Sequence, residues 1–125
     1  MSSFAGKCVV VTGAASGFGK AMSEKFAAAG ASVVVADING QGAKAVAAEL
    51  PDAISFQLDV SSEEQNRALI EETVEAFGKI DVFCANAGIP HRAKMMVKQD
   101  LEEFDSMWAI NVRSIFLAAK YCVSH

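Results

Sequence analysis

The stretch Thr12-Gly13-Ala14-Ala15-Ser16-Gly17-Phe18-Gly19 places three glycines between an apolar run and an amphipathic one. Glycine lets a ligand approach the backbone without a Cβ in the way, and it tolerates positive φ. If a helix starts here, its unpaired N–H groups and the positive end of its dipole suit a phosphate. Gly13, Gly17 and Gly19 would shape such a loop, with Ser16 and Phe18 supplying backbone or hydroxyl donors. A plain glycine-rich turn between a strand and a helix has the same composition. The glycines also fall at offsets of four and six rather than in the GxGxxG spacing.

Asp37 stands 18 residues after Gly19, at the end of a second apolar run. A carboxylate there can accept both ribose hydroxyls of an adenosine, or simply be a solvated strand end. A 2′-phosphate would need a cation nearby, and a carboxylate would repel it. Positions 14, 15, 16 and 38 hold Ala, Ala, Ser and Ile. The expected cofactor is therefore NAD in preference to NADP, with Ile38 beside Asp37 in the candidate binding set. Asp59 and Val60 end a third run, where the carboxylate suits an adenine amino group or flanks a helix cap. Asn86, Ala87 and Gly88 end a fourth run, where small residues leave room for a ligand. Asn111 lies on the apolar stripe of the last helix. An amide there lowers helix propensity and needs partners, so it is either a satisfied structural residue or a functional one.

The elements that must carry these residues alternate regularly. Residues 7–13, 31–37, 53–59 and 80–88 read as strands, and the first two are continuously apolar runs of the kind covered on both faces. Ile54, Phe56 and Leu58 alternate, as in a less covered edge strand. Helices are expected over 18–29 (inner residues Phe18, Ala21, Met22, Phe26 and Ala29), over 40–50 closed by Pro51, and over 61–78. The third would open with a capping box from Ser61 to Glu64, bury Ile70, Val74 and Phe77, and end at Gly78. A looser stretch, 89–99, precedes a last helix capped by Asp100 with Glu103. In that helix Ile115, Ala119 and Cys122 recur on one face. Such alternation with short connections predicts an α/β fold, a Rossmann-type doubly wound parallel sheet of strand order 3-2-1-4. Ligands in such sheets bind beyond the strand C-termini, where each motif above falls.

The 125 residues are 52% hydrophobic and 21% charged, with a net charge of −4. One domain over 1–125 is expected, with no nucleic-acid partner and no membrane partner, because both attract clustered Lys and Arg. No apolar run approaches the ~20 residues of a membrane span. Three cysteines without metal spacing read as reduced thiols, so the expected location is cytoplasmic.

Taken together, these residues resemble the short-chain dehydrogenase/reductase family. The resemblance rests on TGxxxGxG (Thr12 to Gly19), Asp37, Asp59–Val60, Asn86-Ala87-Gly88, and Asn111 within Ile110-Asn111-Val112-Arg113-Ser114. It covers nearly the whole chain. Ala85 departs from it, since many members carry an Asn there. The resemblance implies hydride transfer between a nicotinamide and an alcohol or ketone substrate. It places the glycine loop and Asp37 on NAD, Asp59 and Val60 at the adenine, and Asn86, Ala87 and Gly88 at the nicotinamide-side ribose. Asn111 would hold a water in a proton relay, and members usually associate as homo-oligomers through the Asn111 helix and the one after it.

The family's catalytic Ser and Tyr-x-x-x-Lys follow on later elements and find no match here. The single tyrosine, Tyr121, lies ten residues past Asn111 in the same helix, next to Lys120. The last helix also lacks a Gly, Asn or Pro stop. The expectation is an NAD-binding domain truncated within that helix, with the second half of the sheet absent and no turnover alone. The alternatives are a short non-catalytic nucleotide-binding or interaction module, and an unrelated nucleotide-binding α/β domain. His91 and Arg92 could face a substrate or form a solvated loop pair.

Overall fold

The computed structural model describes residues 3–90 and 93–125; His91 and Arg92 lie outside them. Four parallel strands form one sheet: β1 (Cys8–Thr12), β2 (Ser32–Asp37), β3 (Ala53–Gln57) and β4 (Val82–Cys84). Their order is β3-β2-β1-β4, so the chain moves outward to one edge, then crosses back to the other side of β1. The reversal falls between β1 and β4, where the ends of adjacent strands diverge and leave a crevice.

The helices are α1 (Gly17–Ala28), α2 (Gly40–Ala48), α3 (Glu63–Phe77), α4 (Leu101–Trp108) and α5 (Ser114–Cys122), with a short 3-10 turn at Met96–Lys98. Strand side chains alternate between faces, and the two cores follow from that. Val9, Val11, Val33 and Val35 pack on one side with Ala27, Ala43 and Val46 of α1 and α2. Val10, Val34 and Ala36 pack on the other with Leu58 and Leu69, and Ile110 covers part of that face. The valines of β1 and β2 are fully buried, each contributing about 1.5–3 kcal/mol. β3 is the half-covered edge that its alternation predicts.

Several local expectations need correction. The cap of α3 is Ser62, whose hydroxyl accepts from Gln65 N, rather than Ser61 with Glu64. Ser61 is instead drawn into the turn by Asp59. The inner face of α3 runs through Asn66, Leu69, Ile70 and Thr73, with Val74 and Phe77 only half-buried. The inner face of α1 is rotated by one residue, to Gly19, Ser23 and Ala27 beside Met22 and Phe26. Phe18 is 86% exposed, and Ala21 is exposed too. β4 is only three residues long. α2 ends at Ala48, before Pro51.

The last helix begins as expected, with Asp100 accepting from Glu103 N at 2.7 Å. It is not a uniform α-helix. A π-helical turn, Ala109–Arg113, joins α4 to α5 and contains Asn111. In α5 the buried face is Ser114, Leu117 and Ala118, while Ile115 and Ala119 face outward. Among the described residues no helix is long and apolar enough to cross a membrane.

Candidate functional site

A cavity of about 590 Å³ opens beyond the C-terminal ends of the strands, a size usual for small-molecule sites. Gly13 and Ser16 line it from the glycine loop, Asp37 and Ile38 from the end of β2, and Leu58 to Ser61 from beyond β3. Asn86, Ala87, Gly88 and Ile89 close it beyond β4, and Ser106 and Ile110 reach it from the last helix. Gly17, Phe18, Gly19 and Asn111 are not among the lining residues.

Thr12 ties the two strand ends together. Its buried hydroxyl accepts from Asn86 N and Ala87 N at 3.1 Å each and donates to the Cys84 carbonyl at 3.4 Å. Asn86 answers by donating from Nδ2 to the Thr12 carbonyl at 3.1 Å. Gly13 and Gly19 make this knot possible. A Cβ on Gly19 would stand 2.2 Å from the Gly13 carbonyl oxygen, and one on Gly13 would stand 2.9 Å from Ala87 Cα. These two glycines let the loop, the first turn of α1 and the end of β4 touch.

The N-terminus of α1 differs from those of α3 and α4. Those two have acidic first turns and side-chain caps. In α1, Ser16 makes no capping bond and the first turn carries no acid. A Cβ at Gly17 would meet open space. An uncapped, acid-free helix start opening on free space is a place for an anion to accept backbone N–H bonds.

The Asp37 carboxylate is already oriented, with Oδ2 accepting from Ala15 N and Oδ1 from Asn39 N, both at 2.9 Å. Each carboxylate oxygen retains a lone pair for a further donor. Asp59 is oriented by Ser61, whose N–H and hydroxyl both donate to Oδ1, at 2.9 and 2.6 Å. Asp59 Oδ2 accepts nothing from the described residues. Asp59 N donates to Gln65 Oε1 at 2.7 Å, and the buried Asn66 donates to the Val60 carbonyl at 2.9 Å. Among the described residues the cavity lining contains no Lys or Arg.

Asn111 is paired through both polar atoms: Oδ1 accepts from Ile89 N at 2.8 Å and Nδ2 donates to Ile89 O at 3.0 Å. It pins the segment after β4 to the π turn. Tyr121 points elsewhere, donating to Glu63 Oε1 at 2.6 Å, with Lys120 on the same oxygen at 2.7 Å. Lys120 first, then Tyr121, hold the Glu63 carboxyl below its ordinary range by hydrogen bonding.

Sequence reasoning gave Thr12, Ser106, Ile89 and Ile110 no site role of their own, and gave Ser61 only that of a helix cap. Thr12 had a usable signal, since a hydroxyl at the end of a buried strand needs partners. Ser106 and Ile110 are four apart on one helical face, yet only the packing of the helix shows which face meets the cavity.

Comparison with known proteins agrees with this architecture. The short chain dehydrogenase family model matches residues 7–125. Among curated proteins, the 2,5-dichloro-2,5-cyclohexadiene-1,4-diol dehydrogenase of Sphingobium indicum is 42% identical over 122 residues, covering 97% of this chain and 49% of that protein. Among solved structures, a 3-ketoacyl-(acyl-carrier-protein) reductase from Brucella melitensis complexed with NADH superposes with a TM-score of 0.95 at 39% identity, covering 98% of this chain and 51% of that one. A 7α-hydroxysteroid dehydrogenase complexed with NADH and 7-oxo glycochenodeoxycholic acid gives a TM-score of 0.92 at 33% identity, covering 97% and 48%. The chain belongs to the short-chain dehydrogenase family of oxidoreductases. It spans about half the length of the relatives it matches.

Proposed function

We propose that this chain is the dinucleotide-binding part of an NAD-dependent oxidoreductase acting between an alcohol and a ketone. One observation carries the reading: an uncapped helix start and the pre-oriented Asp37 face one cavity whose lining has no cation among the described residues. The helix start suits the pyrophosphate, approached through Gly13, Ser16, Gly17 and Phe18, with Gly19 packing the loop beneath it. Asp37 accepts from the adenosine ribose hydroxyls, with Ile38 beside it. A 2′-phosphate there would meet a carboxylate and, among the described lining residues, no Arg or Lys, which favours NAD over NADP. The open Oδ2 of Asp59, next to Val60, suits an amino group on the adenine edge. Asn86, Ala87 and Gly88 border the other ribose.

The chemistry a bound nicotinamide supplies is hydride transfer. Asn111 would serve it by fixing Ile89 and, through the remaining lone pair of Oδ1, by holding a water in a proton relay. Among the described residues the one tyrosine is committed to Glu63 and gives that end no acid/base group. On this reading the chain by itself binds the cofactor without turning over a substrate.

The outward stripe Leu101, Phe104, Trp108, Val112 and Ile115 supports homo-oligomer formation through the Asn111 helix. A cytoplasmic setting accords with three unpaired cysteines. Titration with NADH, followed by the fluorescence of the reduced nicotinamide, tests the reading. Saturable binding of NADH supports it, and the absence of binding to both NADH and NADPH refutes it.

A further inference from the structure

We infer that Arg113 is a positioning residue for adenine recognition, acting through Ser61 on Asp59; the inference rests on the nucleotide reading above. Arg113 lies on the π turn and donates from Nη2 to the Ser61 carbonyl at 2.8 Å, across 52 residues of sequence. Ser61 in turn clamps Asp59 Oδ1 with its N–H and its hydroxyl. The result is a carboxylate in the cavity wall with one oxygen spoken for and the other open.

The rest of the segment is held by α3 and by its own backbone, with Ser62 N on the Asp59 carbonyl. Gln65 takes Asp59 N, and Asn66 takes the carbonyls of Val60 and Ser62. The carbonyl of Ser61 is left to an outside donor, and the guanidinium provides it as a charge-assisted bond. Farther along the same helix, Lys120 and Tyr121 bond Glu63 at the start of α3. The last helix therefore grips the turn that carries Asp59 as well as the helix behind it. Ile110, three residues before Arg113, lines the same cavity. The helix that bounds one side of the cavity thus also sets the acceptor on the other. Without Arg113, the Ser61–Ser62 peptide would keep only the bond from Ser62 N to the Asp59 carbonyl, and Ser61, whose N–H and hydroxyl orient the Asp59 carboxylate, would be held less firmly.

The test compares NADH with its deamino analogue, in which hypoxanthine replaces adenine and a carbonyl oxygen replaces the amino group. Affinities of both are measured by fluorescence titration for the wild-type chain, Arg113→Ala and Arg113→Lys. The wild type should prefer NADH by about 5-fold, the value of one hydrogen bond. Arg113→Ala should bring the preference to about 2-fold or less by weakening NADH selectively. Arg113→Lys, which keeps a charged donor, should fall between and serves if the alanine variant folds poorly. Equal weakening of both ligands, or no change in either, would overturn the inference and leave Arg113 a structural tie between helices. A wild type that binds NADH without preferring it to the deamino analogue would also overturn it. A wild type that binds neither would refute the nucleotide reading itself, and the inference with it.

Discussion

Asn111 and Ile89 form a two-way pair: the side-chain amide of one accepts from the backbone N–H and donates to the backbone carbonyl of the other. The bond joins the π turn of the last helix to the segment that leaves β4 past Gly88. A Cβ on Gly88 would stand 3.1 Å from Asn111 Oδ1, so the small residue there is part of the same contact.

Replacing Asn111 with Ala removes both bonds. Stability should fall by about 1–2 kcal/mol, the net value of two partly exposed hydrogen bonds. Amide hydrogen exchange gives the sharper readout. The Ile89 N–H should be protected in the wild type and should exchange far faster in Asn111→Ala, while the β1 amides keep their protection.

Gly19 and Gly17 separate close packing from backbone conformation. Gly19→Ala drives a Cβ into the Gly13 carbonyl, and such overpacking typically costs about 1–3 kcal/mol. The strand knot at Thr12 and Asn86 should open with it. Gly17→Ala meets no neighbour but must hold φ at +56°, which costs about 1–2 kcal/mol. Denaturant melts should show both losses. Val9 and Val33 side-chain signals should shift only in the Gly19 variant.

Cys8 is 1% exposed, and burial, followed by the nearby Asp81 carboxylate, pushes its thiol up to about 11. Thiolate is the reactive form. At about pH 7.5, roughly one unit below the pKa of a free thiol, iodoacetamide should leave Cys8 unmodified in the folded chain. It should alkylate it promptly in denaturant. Peptide mass mapping after a short pulse distinguishes the two.

The Asp81 carboxyl is held below its ordinary range, first by the N–H of Cys8 and then by Lys79. A lowered folded-state pKa stabilises the native state above the unfolded pKa, and that contribution disappears as pH falls through the folded value. Part of the acid sensitivity below the ordinary value of 3.8 should therefore trace to this group. Asp81→Asn should be less stable than wild type at pH 7, and the difference should shrink in acid. Melting curves across that range decide it.

Much of this was legible in the sequence, for identifiable reasons. The runs of valine at 9–11 and 33–35 have no polar member to face water, which makes them buried parallel strands and places Asp37 and the glycine loop at their ends. Gly78 ended α3 in the left-handed conformation as expected. The phase of each helix was harder to read. In α1, small residues Gly19, Ser23 and Ala27 face the sheet because loop and strand approach closely, so Phe18 turns outward. Ser61 and Ser62 are chemically equal cap candidates, and Asp59 decides between them by capturing Ser61. The π turn has no signature in residue type. It is visible only once Asn111 is seen holding Ile89, which also explains why an amide sits on an apolar stripe.

The most direct measurement is cofactor discrimination in wild type and Asp37→Ala, by parallel titrations with NADH and NADPH. The expected result is a wild-type preference for NADH of about 10-fold or more, worth about 1.4 kcal/mol. In Asp37→Ala that preference should collapse toward parity, through weaker NADH binding and relieved repulsion of the 2′-phosphate. An undiminished preference in the variant would mean that Asp37 only holds Ala15 and Asn39 at the end of β2, and would contradict the cofactor site described here.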